Sequence, residues 1–165
     1  MDELERGELV RDETPAERVD RNFNELLGEL RIALPGVQVL FAFLLTVPFA
    51  QGFAQLTGFE RGLYFGVLLL TALASALLIA PTAYHRLQFR QGRKQDVLWF
   101  ANRAALLGLG ALALAMSGAI LLITDFLFGV AVAIPVGAAT ALMFGSLWYL
   151  LPLRRGGRLP VDRSP

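Results

Sequence analysis

The chain has 165 residues, 55% of them apolar, with a formal net charge of +1 and no cysteine. The absent thiols exclude disulfides, thiolate metal centres and thiol redox chemistry. The overall charge is uninformative, but its distribution is not. Residues 32–59, 62–84, 104–124 and 126–153 contain no Asp, Glu, Lys, Arg or His. Each stretch exceeds the roughly 18–20 residues that cross ~30 Å of hydrocarbon at ~1.5 Å per residue. One charge at the centre of such a span would cost about 2.5–3.5 kcal/mol on insertion scales. The expected fold is therefore all-α: an integral membrane bundle of four transmembrane helices over 32–153, a multi-pass protein of the cell membrane.

Residues 1–13 are polar without apolar periodicity and are expected to form a disordered acidic tail. Thr14-Pro15-Ala16-Glu17 reads as a helix start, with Thr14 as cap, Pro15 at the first helical position and Glu17 closing a capping box. Val19, Phe23, Leu26 and Leu30 then recur every three or four residues, with Leu27 beside them. That spacing predicts an amphipathic cytosolic helix over 14–31, lying on the membrane surface or under its own bundle, or else docking a partner or second protomer. No signal peptide is expected, because residues 1–31 hold ten acidic side chains and five arginines.

In the first span, Pro35 is expected to break the arm from the membrane helix, and Pro48 to kink that helix or end it early. If it ends there, residues 51–55 form an outer loop or re-entrant turn. Gln38, Thr46, Gln51 and Gln55 are its polar side chains and, in lipid, should face other helices. The second span runs from Leu63 to about Tyr84, with Pro81 near its inner end and a turn at Gln91-Gly92 beyond it. Asp96 can cap the third helix, Trp99 and Phe100 suit headgroup depth, and the span ends near Thr124.

The fourth span carries Gly129, Ala133, Gly137, Ala141 and Gly145, a small residue at every fourth position. The third has a similar row, Ala104, Gly108, Ala111, Ala115 and Gly118. Such rows let backbones approach closely where lipid removes the hydrophobic drive, so helices three and four are expected to pack on each other. Trp148 and Tyr149 would anchor the inner end, and 154–165 form a basic cytosolic tail.

Topology follows short-flank Lys and Arg, which lie in the arm, in 86–103 and in the tail. Both ends are therefore expected in the cytoplasm, as an even number of spans requires. The residues that could carry recognition lie there too. His85, Arg86, Arg90, Arg93, Lys94 and Arg103 surround Phe89 and Trp99. Basic clusters beside a span bind anionic lipid headgroups or phosphate at about 1 kcal/mol per charge near the surface; the simpler reading is that they only fix topology.

Catalysis needs paired carboxylates, a base beside a nucleophile, or a metal set, and no spacing in this sequence supplies one. No cofactor, metal or nucleic-acid partner is expected. The leading reading is a non-catalytic subunit or regulator acting through helix packing and its cytosolic face, with lipids, a second copy or another membrane protein as partner. The alternative is a small oligomeric transporter or channel without proton coupling, lined by Gln38, Gln51, Gln55 and the small rows.

Two strings carry a family resemblance. Glu13–Arg18, Asn24–Arg31 and Gly36–Leu45 form the first, and Ala80–Arg86 with Phe89-Arg90 and Gly92-Arg93 the second. Together they resemble an uncharacterised family of small actinobacterial membrane proteins, over about residues 13–125. The resemblance implies four helices and no activity that could be carried over.

Overall fold

The computed structural model describes residues 15–88 and 94–156. The acidic tail 1–13, the cap at Thr14, the turn at Gln91-Gly92, Arg90, Arg93 and the tail beyond Gly156 lie outside the described residues. Within them the chain is helical: α1 (Pro15–Thr46), two short 3-10 turns (Val47–Phe49 and Gln51–Gln55), α2 (Gly58–Gln88), α3 (Lys94–Phe128) and α4 (Val130–Gly145). A π turn (Ser146–Leu150) and α5 (Leu151–Gly156) continue the fourth helix. Four segments, 21–49, 58–84, 98–128 and 130–154, are long and apolar enough to cross a membrane.

The expected break at Pro35 is absent: α1 runs unbroken through it. The reason lies on the opposite side of the helix. Phe23, Leu30, Val37 and Leu44 are all buried, and they repeat every seven residues. Near 3.6 residues per turn, a seven-residue repeat keeps one stripe against its neighbours over many turns. The arm and the membrane-capable stretch after it thus share one seam against α2 and α3. Pro35 is exposed, so the N–H it lacks is missed by the Arg31 carbonyl on the outer side, away from that seam.

Pro48 does end the helix, which gives way at Thr46 to 3-10 turns. Leu44 loses its donor there, because the residue four positions on is proline. The Tyr64 hydroxyl of α2 donates to that carbonyl at 2.7 Å, and the Tyr64 ring meets Phe53 edge-on at 5.3 Å. The segment after Pro48 is thereby fixed to α2. Thr57 and Glu60 then start α2 with a reciprocal capping box: the Thr57 N–H donates to the Glu60 carboxylate at 2.7 Å, and the Glu60 N–H to the Thr57 hydroxyl at 3.2 Å. The Arg61 guanidinium closes the turn on the Ala54 carbonyl at 3.0 Å.

The small row on α3 meets α2, not α4 as the matched rows suggested. A Cβ on Gly108 would stand 2.9 Å from Leu78, and one on Gly118 would stand 2.6 Å from Val67. Ala104, Ala111 and Ala115 between them are buried. Helix α4 uses a different face of α3. A Cβ on Gly137 would lie 2.8 Å from Leu121, and the Tyr149 hydroxyl donates to the Leu106 carbonyl at 2.6 Å. That hydroxyl would lie 2.9 Å from a Cβ on Gly110, so glycine leaves it room. Gly110 and Leu121 are three turns apart on one side of α3, clear of the row that meets α2.

The row on α4 also works over less of its length than its spacing suggests. Ala133 and Gly137 are buried, whereas nothing lies within 4 Å of a Cβ on Gly145. Gly129 is not a packing residue at all. It is the single-residue link between α3 and α4, at φ 80° and ψ 168°, a conformation essentially confined to glycine. Among the described residues, α4 approaches α3 alone, while α1, α2 and α3 all meet one another. The architecture is thus three mutually packed helices with a fourth on one flank of α3, rather than a closed four-helix bundle.

Candidate functional site

The arm end of the molecule, where α1 begins, α2 finishes and α3 starts, carries the polar chemistry. Phe23 and Ala101 are buried there with Leu26, Leu27, Tyr84 and Leu98 packed around them. The Tyr84 and Phe100 rings stack at 4.7 Å. The cluster around Phe23 and Ala101 holds the arm against the first turns of α3, and a cleft opens between them. Asn22, Glu25, Leu26 and Glu29 of α1 and Leu98, Trp99 and Asn102 of α3 line about 590 Å³ of open space. Arg103 lies over the Trp99 ring, its guanidinium carbon 4.1 Å from the centroid, a cation–π contact at the rim.

Of the basic residues picked from the sequence, the structure places Arg103 in this rim. His85 and Arg86 lie in the last turn of α2 and Lys94 opens α3, so the backbone brings all three to the same end. Their side chains, and Arg90 and Arg93, fall outside the described residues. Asp96 is the third residue of α3 rather than its cap. The cleft itself was missed, although Asn22, Glu25 and Glu29 are spaced three and four apart, a polar stripe beside the apolar one. That spacing was the available signal.

The interior between the helices is apolar with its few hydroxyls already satisfied. Thr71 and Ser117 are buried, and each donates to the carbonyl four residues back at 2.8 Å. No buried side-chain nitrogen or oxygen lacks a partner among the described residues. Groups of three or more His, Cys, Asp or Glu that could hold a metal are absent among the described residues. Gln38, expected to face other helices, instead lies exposed on the outer surface of α1, as do Gln51 and Gln55 in the turn beyond it. The seam at Leu30, Val37 and Leu44 dictates this, because Gln38 sits about 100° around the helix from Val37.

Among the described residues these features define a class: an all-helical protein with four membrane-capable helices, an apolar interior and a polar face at one end. The chain belongs to a family of unknown function, DUF6328, whose pattern matches residues 12–152. No curated protein and no solved structure matches it.

Proposed function

We propose that this is a multi-pass protein of the cell membrane with both ends in the cytoplasm. It is not an enzyme; it acts as a subunit or regulator through helix packing and its arm-end face. The observation that carries this reading is the sorting of charge. Four helices are apolar enough to span, while Arg86, Lys94, Arg103, Arg154 and Arg155 lie on helix ends at the arm end, with Arg90 and Arg93 between Arg86 and Lys94 in the sequence, against Arg61 alone at the other. In a membrane that distribution sets the arm end inside, and the first part of α1 continues the spanning helix into the cytosol as an amphipathic helix packed on the ends of α2 and α3. Reporter fusions at Glu60 and Asp125 should then appear outside, and those at Gly92 and Pro165 inside. An external C-terminus would overturn the reading.

The cytosolic face is proposed to hold anionic headgroups through Arg86 and Arg90, which follow a span directly and so lie within a Debye length, ~8 Å at physiological salt, of the lipid phosphates. Guanidinium groups bind phosphate oxygens in pairs. His85, Arg93, Lys94 and Arg103 add charge to the same end. Native mass spectrometry with anionic and zwitterionic lipids should show retained anionic lipid dropping in Arg86→Gln/Arg90→Gln. Unchanged retention would leave these arginines with a topological role alone. A passive pore, the second reading, draws on the outward Gln38, Gln51 and Gln55, and because they face away from the protomer such a pore would run between copies.

A further inference from the structure

The two outer flanks of α1 differ in kind. On one side Ile32, Val39 and Phe43 are large, apolar and exposed, which suits acyl chains. On the other, Pro35, Gln38, Ala42 and Leu45 are all exposed, spaced three, four and three apart. That is the spacing of a helix–helix seam, and three of its four side chains are compact or polar. Gln38 stands in its middle, seven residues beyond Arg31 and so about 10 Å inside the last charge of the arm. A carboxamide at that depth is costly to leave against hydrocarbon, since neither its N–H groups nor its carbonyl finds a partner there. Among the described residues no helix of its own protomer covers it.

We propose that this flank is an interface with a second copy of the chain, in which the two Gln38 carboxamides hydrogen-bond to each other. The proposal rests on the membrane-spanning reading above. What points to a second copy is the geometry of a shared membrane. A twofold axis along the membrane normal sets identical residues at identical depth, so Gln38 faces Gln38. A carboxamide is both donor and acceptor and therefore complements itself. Ala42 one turn along leaves room for the backbones to close.

The chain has no cysteine, so single cysteines report proximity without background. In liposomes at a low protein-to-lipid ratio, Ala42→Cys and Leu45→Cys should form disulfide-linked dimers under mild oxidation several-fold more than Val39→Cys and Phe43→Cys. Adding Gln38→Leu to Ala42→Cys should weaken association about three- to twentyfold, the range of single interhelical hydrogen bonds in membranes. Because Gln38 is exposed, leucine there does not disturb the protomer's own packing. Equal linking on both flanks, or none, with the topology reporters placed as expected would overturn the dimer while leaving the membrane reading intact. Linking along the seam that is unmoved by Gln38→Leu would overturn the amide pairing. Reporters that put Glu60 inside would instead overturn the reading on which the proposal rests.

Discussion

Gly108→Leu should lower the detergent thermostability of the purified protein far more than Gly62→Leu. The two glycines sit in comparable helices and differ in what surrounds them. A Cβ on Gly62 would meet nothing within 4 Å, whereas one on Gly108 would fall 2.9 Å from both Cγ and Cδ2 of Leu78 and 3.2 Å from Cβ of Leu77. Leu78 is fully buried, so it has no open space into which to move. Forcing atoms into such a contact typically costs about 1–3 kcal/mol, and a leucine adds three carbons beyond Cβ. Alanine sharpens the test. At Gly62 it should be neutral or stabilising by up to ~1 kcal/mol, because alanine favours helix; at Gly108 the clash opposes that gain, and the sign should reverse. Gly118, set against the β-branched and buried Val67, should behave like Gly108, and Gly145 like Gly62. Equal, small effects at all four would mean that α2 and α3 do not meet through this row.

That contrast also shows where sequence reading stops. The uncharged stretches made four long helices legible, because insertion energetics depend on composition and length, both of which are written in the chain. The partners of the small rows were not legible. A row of glycine and alanine says that some helix approaches closely but carries no address, and α3 has two such faces, one for α2 and one for α4. Pro35 misled for a related reason: propensity counts the lost hydrogen bond, about 3 kcal/mol, but not the seam from Phe23 to Leu44 that continues behind it. That seam was visible only up to Leu30 as long as the proline was expected to end the helix. The arm-end cleft needed two elements distant in sequence, Asn22–Glu29 and Leu98–Asn102, and spacing within one helix cannot reveal their meeting.

Tyr64→Phe should destabilise the protein by about 1–3 kcal/mol, although it removes one oxygen and no packing surface. The cost is that of an orphaned buried carbonyl. Leu44 is buried, and the residue that would donate to its carbonyl along the helix is Pro48, which has no N–H. The Tyr64 hydroxyl at 2.7 Å supplies the missing donor. Phenylalanine keeps the edge-on contact with Phe53, so loss of the ring contact does not confound the measurement. The account makes a second demand. If the hydroxyl matters because proline took the donor away, Pro48→Ala should partly rescue Tyr64→Phe, by restoring an N–H that can bond to the Leu44 carbonyl as the helix extends. In the double-mutant cycle, measured by thermal unfolding in detergent, the combined loss should fall short of the sum of the single losses by at least ~0.5 kcal/mol, outside the error expected for independent sites. Strict additivity would mean that the tyrosine and the proline act separately, and the link from Pro48 through Leu44 to Tyr64 would be wrong. Rescue would establish that the end of α1 is set by a proline and a tyrosine acting on one carbonyl, sixteen residues apart in the chain from Pro48 to Tyr64.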